Sequence, residues 1–351
     1  MDSRDISTKI EINQNALVDK TLECILDRRK ELARRYNREQ IKKSRRDLSY
    51  IYDYLGEALY FDEKDIFIDF VTWLKGLFRN IGLDEDVVFT ILECISAICE
   101  KEFSGGEAKY ILNTVNIALN NLEESTPAGD SYIHEQNKNS HYARAYLDLI
   151  LQNRKKDAVE YILEQVSREI TIPELYLDVF QVAQREIGRL WHENKISVAQ
   201  EHYSSSVTQL IISQLYPRFL TAAGNKETVL TTAVGNELHE IGIRMVADLL
   251  EMEGYNTIHL GANTPTGSII ETIRLNNVKL LGVSVTLPIH LKELDQLVKT
   301  VRSDSKISNI KIFTGGYAFN SNPDLWNKFT VDAYFSDAAM AAARVKELME
   351  E

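Results

Sequence analysis

The residues best suited to metal chemistry in this chain follow a short apolar run. Thr228–Val234 has the composition of a buried strand, and Glu237, His239 and Glu240 come directly after it. A neutral imidazole can ligate a metal, and either glutamate could orient the ring through its second nitrogen. Gly242 would let a bulky group approach the start of the next helix. We therefore expect a metal-ligating histidine at the end of this strand.

Two further strand ends carry hydroxyl groups and glycines. A single histidine in a loop is more often an ordinary polar surface residue, so these additional features matter. Ser284 and Thr286 place two hydroxyls on one face at the end of another apolar run. Gly315 and Gly316 follow a third run and permit close backbone contact with a ligand. Each could be a turn, but together they indicate a slot for a long tail, with His239 at its mouth.

The element pattern around these residues predicts an α/β domain over 226–351. Apolar β-type runs alternate five times with amphipathic segments, and we expect strands at Thr228–Val234, Asn256–Leu260, Leu280–Val285, Lys311–Phe313 and Ala333–Phe335. We expect the intervening helices at 239–253, 266–276, 290–304, 322–328 and 337–350. This alternation predicts a doubly wound, five-stranded parallel sheet, in which ligands bind at the carboxyl ends of the strands.

The preceding sequence reads as helical. Residues 1–124 predict an all-α sensor or interaction domain, with helical segments at 14–60, 63–80, 84–101 and 106–123. The polar, turn-rich stretch 125–140 reads as a linker. Residues 141–218 predict a four-helix bundle, whose third helix starts at Thr171-Ile172-Pro173-Glu174.

The strand-end residues resemble the cobalamin-binding, flavodoxin-like fold. Glu237-x-His239-x-x-Gly242, the Ser284-Val285-Thr286 strand end and Gly315-Gly316 occur in the order and spacing of that family, and Gly261 lies at its second strand end. The resemblance implies that His239 is the lower cobalt ligand. It also implies that the nucleotide tail lies past Ser284, Thr286, Gly315 and Gly316. Many members have aspartate in place of Glu237, which weighs against the His–Asp relay of methyl-transfer members.

Four residues of the predicted bundle resemble the cap of CarH-type photoreceptors. Trp191, His192, Glu201 and His202 match the Trp…Glu-His signature of that adenosylcobalamin-dependent family. The resemblance implies that Trp191, Glu201 and His202 enclose the adenosyl group and that His192 captures cobalt after photolysis. The alternative is a tryptophan buried in a bundle core with polar groups at the surface. The MerR-type DNA-binding domain of those repressors is not found here.

These resemblances give a leading hypothesis and two alternatives. The leading hypothesis is a cobalamin-dependent light sensor in which photolysis of adenosylcobalamin rearranges the cap and changes contacts within a homo-oligomer or with a downstream protein. One alternative is a corrinoid protein for methyl transfer. The other is a dual-chromophore sensor that also binds a bilin. No nucleophile–base set appears beyond the corrinoid site, so we expect no catalysis by the chain itself.

Charge and composition set the remaining expectations. The 351 residues carry a net charge of −12, which argues against general nucleic-acid binding. Residues 28–46 hold ten Lys or Arg and two acids, a basic segment that would be either a solvated helix face or a surface for an acidic partner. Apolar runs long enough for a membrane span and a signal-peptide core are both absent. Cys24, Cys94 and Cys99 are expected to be reduced thiols in a cytoplasmic protein.

Overall fold

A computed structural model describes residues 2–123, 129–219 and 226–350 of the chain. It divides into two compact units, Met1–Ala128 and Gly129–Glu351. Part of the predicted linker, residues 125–128, lies outside the described residues. In the described part of the chain, helices that are both long and apolar enough to cross a membrane are absent.

The described part of the first unit is helical, as predicted. Its helices are α1 (Ser3–Arg28), α2 (Lys30–Arg35), α3 (Arg38–Phe61), α4 (Asp65–Asn80), α5 (Asp86–Glu102) and α6 (Gly105–Glu123). The first helix begins earlier than predicted because the side chain of Asp2 accepts a hydrogen bond from the backbone nitrogen of Arg4. Asn37 and Gln40 form a capping box that starts α3, so the predicted helical segment 14–60 is interrupted.

The basic segment therefore spans the end of α1, all of α2 and the start of α3. Several of its charges pair within the first unit. Arg28 lies 2.7 Å from Glu93, Arg45 lies 2.6 Å from Asp19, and Arg29 pairs with Asp84. These exposed pairs contribute little stability individually, and they leave part of the segment as a solvated basic face.

The cysteines do not all behave as expected. Cys24 on α1 and Cys94 on α5 form a disulfide, with their Cα atoms 5.8 Å apart, so the expectation of reduced thiols is wrong for these two. The sequence could not show the pairing because 70 residues separate them and only helix packing brings them together. Cys99 is a free thiol, and burial raises its pKa to about 12.

The second unit begins with a helical bundle. It comprises α7 (Ser140–Leu151), α8 (Lys155–Arg168), α9 (Ile172–Glu174), α10 (Gln181–His192) and α11 (Val198–Leu215). Thr171 and Glu174 form a capping box at the predicted start of the third helix. A π-helical segment, Leu175–Phe180, joins α9 to α10, and the sequence analysis did not predict it.

The parallel sheet follows the bundle. Its strands are β1 (Thr228–Ala233), β2 (Asn256–His259), β3 (Leu280–Ser284), β4 (Lys311–Gly315) and β5 (Ala333–Phe335), in the order β2-β1-β3-β4-β5. The helices are α12 (Ile241–Met252), α13 (Thr266–Leu275), α14 (Leu291–Ser303), α15 (Tyr317–Asn320) and α16 (Ala338–Glu350). This confirms the doubly wound class. The predicted helix 322–328 is wrong in part, because that region holds a short 3₁₀ turn at Leu325–Lys328.

Bundle and sheet share one apolar core within the second unit. Tyr146 and Phe180 of the bundle belong to the same buried cluster as Val229 of β1 and Leu249 of α12. Ile133, in the second half of the predicted linker, is buried in this cluster as well. The bundle therefore packs against β1 and α12 through this shared core. The finer boundaries at 124, 140, 218 and 226 stay predictions.

Candidate functional site

The loop after β1 is organised around the buried carboxylate of Glu237. Its Oε1 accepts hydrogen bonds from the backbone nitrogen of His239 at 3.0 Å and from the ring Nδ1 of His239 at 2.5 Å. Its Oε2 accepts from the backbone nitrogens of Thr286 and Leu287, at 2.9 and 2.8 Å. The latter two residues follow β3, the neighbour of β1 in the sheet. One side chain thus joins two strand ends and fixes the histidine.

Charge and hydrogen bonding at this pair favour the ionised carboxylate. Burial alone would raise the pKa of Glu237, but the hydrogen bond and charge of His239, together with backbone donors, lower it to about 2. The hydrogen bond that the His239 ring donates to Glu237 raises the pKa of His239 against the effect of burial, and the charges of Glu237 and Glu201 add to the increase. Because Nδ1 faces a carboxylate, the neutral ring offers the lone pair of Nε2 to a ligand.

His239 has the exposure and the surroundings of a single axial ligand. Its side chain is 56% exposed, whereas that of Glu237 is completely buried. Within the described ranges, His, Cys, Asp and Glu side chains form no group of three or more that could hold a metal ion. A metal bound by protein alone generally needs three or four such ligands. The exposed ring of His239 is accessible to a ligand, and its role as a metal ligand stays a prediction.

Gly315 and Gly316 lie where a side chain would not fit. A Cβ on Gly315 would lie 2.7 Å from the backbone oxygen of Phe335, and one on Gly316 would lie 2.3 Å from that of Val285. Gly316 also has a φ of +104°, which favours glycine. Ser284, beside this contact, is buried. The chain's own backbone thus explains both glycines, and their contact with a cofactor tail stays a prediction.

The surface in front of His239 combines open backbone with an exposed apolar side chain. A Cβ on Gly242 would meet nothing within 4 Å, so space is open at the start of α12. Leu238 is 72% exposed, and an apolar macrocycle could cover it. Space is not open at Gly261, unlike at Gly242. Gly261 has a φ of +77°, and a Cβ there would lie 2.7 Å from Oε2 of Glu240.

The turn between α10 and α11 brings the four predicted cap residues to one end of the bundle. Trp191 is half-buried against the bundle core, and His192 is the half-buried last residue of α10. Asn194 adopts a φ of +56° in the turn, and Ser197 forms a capping box that starts α11. Partial burial of Trp191 is compatible both with a cap and with the simpler alternative of a core tryptophan.

Glu201 and His202 lie in the first turn of α11. His202 Nδ1 lies 2.8 Å from Glu201 Oε2, and the His202 side chain is 76% exposed. The hydroxyl of Ser205 lies 3.2 Å from Glu201 Oε1 and 3.3 Å from Oε1 of Gln184 on α10. Glu201 therefore belongs to the face of α11 near α10, while His202 is open to solvent.

Two contacts between the bundle and the α12 segment were not predicted. Gln209 Nε2 on α11 donates to Glu240 Oε1 at 2.8 Å. The Tyr176 hydroxyl donates to Oδ2 of buried Asp248 at 2.8 Å, and Arg244 Nε donates to the other carboxylate oxygen at 3.0 Å. Asp248 lies within the apolar face of α12, so the sequence could have indicated that it has a buried partner. Glutamine and glutamate are common surface residues, so the first contact carried no such signal.

Two protein-family models match this unit of the chain. Residues 227–345 match a model described as a B12 binding domain, and residues 142–216 match a second model with the same description. The chain carries B12-binding domains. The bundle is thus the cap, and the sheet the Rossmann-like part, of a cobalamin-binding unit, as the sequence predicted.

Curated relatives are corrinoid proteins of methanogens. Dimethylamine corrinoid protein 2 of Methanosarcina mazei is 21% identical over 198 residues, which cover 56% of this chain and 91% of the relative. The trimethylamine corrinoid protein of Methanosarcina barkeri is 20% identical over 192 residues, covering 54% and 88%. The solved monomethylamine corrinoid protein of M. barkeri superposes with a TM-score of 0.54 at 18% identity, covering 60% of this chain and all of that one. The superposition shows the shared fold.

These findings confirm cobalamin as the cofactor class and leave the finer predictions open. The named relatives are corrinoid proteins and not photoreceptors, so the predicted photoreceptor relationship is not supported. The matched family descriptions name B12, and they lend no support to an adenosyl upper ligand or to a bilin.

Proposed function

We propose that this chain is a corrinoid protein that carries a methyl group on cobalamin, with His239 as the lower cobalt ligand. The observation that carries the proposal is the pairing of His239 with Glu237. The replacement of aspartate by glutamate weighed against such a relay, yet Glu237 reaches Nδ1 at 2.5 Å while bonding two backbone nitrogens after β3. Cobalamin bound here supplies a cobalt whose upper face can carry a methyl group.

The pair gives the lower ligand two properties that this role needs. A carboxylate on Nδ1 fixes the ring orientation and increases the basicity of Nε2, which strengthens ligation. When Nε2 is not bound to cobalt, the same carboxylate stabilises a proton on the ring, consistent with the raised pKa of His239. The chain can therefore exchange a metal for a proton at one nitrogen without moving Glu237.

The names of the relatives support methyl transfer as the setting. Proteins named dimethylamine and trimethylamine corrinoid proteins match over most of their own length. By analogy we propose a partner methyltransferase that supplies or removes the methyl group, with the chain itself acting as the carrier. The helical first unit, residues 1–124, would be the interaction domain for this partner or for a second copy.

A second candidate function, the adenosylcobalamin light sensor, rests on the α10–α11 turn. Trp191, His192, Glu201 and His202 lie at this one turn of the bundle. An indole offers a large apolar surface to an adenosyl group, and Glu201 could accept hydrogen bonds from ribose hydroxyls. In this reading His192 is the upper cobalt ligand after photolysis. A bilin has no residue-level support and is not proposed.

One experiment with two cofactors distinguishes the two candidate functions. The purified full chain is loaded in the dark with methylcobalamin or adenosylcobalamin, and affinity, absorbance and elution volume are measured before and after green light. The methyl-carrier proposal predicts stoichiometric methylcobalamin binding and, after chemical reduction, recovery of the methyl spectrum on addition of methyl iodide. It also predicts that light leaves the elution volume unchanged.

The opposite pattern would contradict the methyl-carrier proposal. Tight binding of adenosylcobalamin alone, followed by a light-induced bis-histidine spectrum and a change in elution, would establish the sensor. His192→Ala should abolish that lit spectrum, whereas the exposed replacement Glu271→Gln on α13 serves as the matched control. A lit spectrum unchanged in His192→Ala would remove His192 from the sensor mechanism.

A further inference from the structure

The bundle holds α12 and the loop before it through contacts of two different kinds. The first kind is deep: Asp248 is buried and bonds both Tyr176 of the π-helical segment and Arg244. A second contact on the same side joins the Tyr216 hydroxyl to Glu251 Oε1 at 2.7 Å. Loss of a partner from a buried carboxylate is costly, so breaking the Asp248 contacts would cost more than breaking an exposed hydrogen bond.

The second kind of contact is exposed and lies beside the proposed lower ligand. Gln209 on α11 donates to Glu240, the residue that follows His239. The other carboxylate oxygen of Glu240 lies over Gly261, where any Cβ would come within 2.7 Å of it. Glu240 thus lies close to the backbone after β2 and is hydrogen-bonded to the cap. Because the bond to Gln209 is in contact with water, it contributes less to stability than the buried contacts of Asp248.

The π-helical segment lies where a small rotation would move the far end of the cap. Tyr176 lies in Leu175–Phe180, and π-helical turns are rare and occur frequently at functional sites. From that segment α10 extends 12 residues, roughly 18 Å, to the turn that carries Trp191. A small rotation near Tyr176 therefore produces a larger displacement of the α10–α11 turn and of α11.

We propose that the Gln209–Glu240 hydrogen bond is a latch between the cap and the loop of the lower ligand, and that Tyr176, Asp248 and Arg244 form the pivot. Opening of the cap breaks the latch and preserves the pivot. Access to the upper face of the cofactor is thereby coupled to the loop that holds His239. The coupling rests on the proposed place of cobalamin between the cap and this loop, whereas the latch itself is a property of the chain.

The latch is tested first without any cofactor, by hydrogen–deuterium exchange on the full chain. Gln209→Leu keeps the side-chain size and removes the donor. Its matched control is Ser206→Ala, an exposed position on the same helix whose hydroxyl bonds only locally, to the His202 backbone oxygen. We expect several-fold faster exchange in 236–242 and in the first half of α11 for Gln209→Leu, at an unchanged melting temperature. Exchange equal to that of the control would overturn the latch.

A second arm tests the coupling to cofactor entry by stopped-flow absorbance with hydroxocobalamin. Gln209→Leu should increase the association rate several-fold over both the unmodified chain and Ser206→Ala. An unchanged rate, together with faster exchange in the first arm, would overturn the coupling. Absence of cobalamin binding in all three proteins would instead overturn the proposed function, so the two failures are distinguishable.

Tyr176→Phe completes the test by addressing the pivot. This variant should lower the melting temperature and speed exchange along α12, because buried Asp248 loses a hydrogen-bond donor. A variant with wild-type stability and wild-type exchange in α12 would show that Tyr176 is no anchor and would overturn its assignment as the pivot.

Discussion

The two sides of the proposed cobalamin site differ in how completely the chain fixes them. On the sheet side, Glu237 is buried, with both carboxylate oxygens bonded to two strand ends and to His239. On the cap side, His202 is largely exposed, and its Nδ1 lies 2.8 Å from Oε2 of the adjacent Glu201. The sheet side therefore holds the ring of His239, the proposed lower ligand, in one orientation, whereas His202 on the cap side is open to solvent.

On the proposed account, this difference assigns the binding of cobalamin and the choice of its upper ligand to separate parts of the chain. A lower ligand held by a fully bonded carboxylate suits any cobalamin. On the same account, the turn that carries Trp191, Glu201 and His202 would discriminate between a methyl group and an adenosyl group. Relatives that share the sheet could thus differ in function through the cap alone.

The largest expected effect comes from removing the carboxylate that makes the sheet side rigid. Glu237→Ala leaves three backbone nitrogens and the His239 ring without their acceptor, so we expect a loss of about 2–4 kcal/mol in unfolding free energy. Cobalamin affinity should fall about 10–100-fold, as for other outer partners of metal-binding histidines. Titration of hydroxocobalamin and urea denaturation measure the two effects. Unchanged affinity would show that Glu237 does not support the ligand.

The contact between cap and sheet gives the next largest effect. Tyr176→Phe removes the donor to buried Asp248 and should cost about 1–3 kcal/mol in unfolding free energy, measured by urea denaturation. Tyr161→Phe, in the same bundle but half-buried, is the matched comparison and should cost less. Equal losses of unfolding free energy in the two variants would show that the Tyr176 hydroxyl, bonded to Asp248, contributes no more to stability than the Tyr161 hydroxyl.

Much of the fold follows from the sequence, and the reasons are local. The predicted strand lengths agree with the structure within two residues, because short β-type runs carry a local signal, of which the buried, β-branched run Thr228–Ala233 is the clearest example. The Thr171–Glu174 capping box also has a local signature. The π-helical segment and the Cys24–Cys94 bond could not be predicted, because both depend on packing between distant helices.

The candidate site shows the same division between local and long-range information. The Glu237 and His239 spacing places both residues in one loop, so their partnership could be read from the sequence. The bonds from Glu237 to the segment after β3 span about fifty residues and need the sheet order to be known. The Gln209–Glu240 contact depends on how α11 lies on the sheet unit, which no local pattern encodes.

A substitution in the cap distinguishes the two candidate functions. If the cap only covers a methyl group, Glu201→Gln should change the affinities for methylcobalamin and adenosylcobalamin by the same small factor. If the cap encloses an adenosyl group, the variant should weaken adenosylcobalamin binding selectively, by several-fold, because a ribose acceptor is altered. Isothermal titration in the dark with both cofactors gives the ratio that decides between these outcomes.

A smaller effect on stability is expected from a change of pH, through His259 at the end of β2. Burial, with the charge of Arg244, lowers the pKa of His259 to about 4, well below its usual 6.5. The unfolded chain therefore binds the proton first, so stability decreases as pH falls from about 6.5 to about 4. Because His259 is only half-buried, we expect a loss on the order of 1 kcal/mol over this range.

His259→Gln tests the pH effect directly. Thermal unfolding between pH 7 and pH 4.5 should show a shallower decline for this variant than for the unmodified chain. Parallel declines would assign the acid sensitivity to other groups. The variant should leave cobalamin affinity at pH 7.5 unchanged, since His259 bonds Thr231 within the sheet and not the His239 loop.

The central claim, that His239 is the lower cobalt ligand, is tested most directly by electron paramagnetic resonance. The chain is expressed with ¹⁵N throughout, loaded with unlabelled cobalamin and reduced to the paramagnetic cobalt(II) form. Ligation by a protein histidine predicts superhyperfine doublets from ¹⁵N, which His239→Ala should abolish. Triplets in the labelled protein would come from the ¹⁴N of the cofactor's own base and would contradict the account.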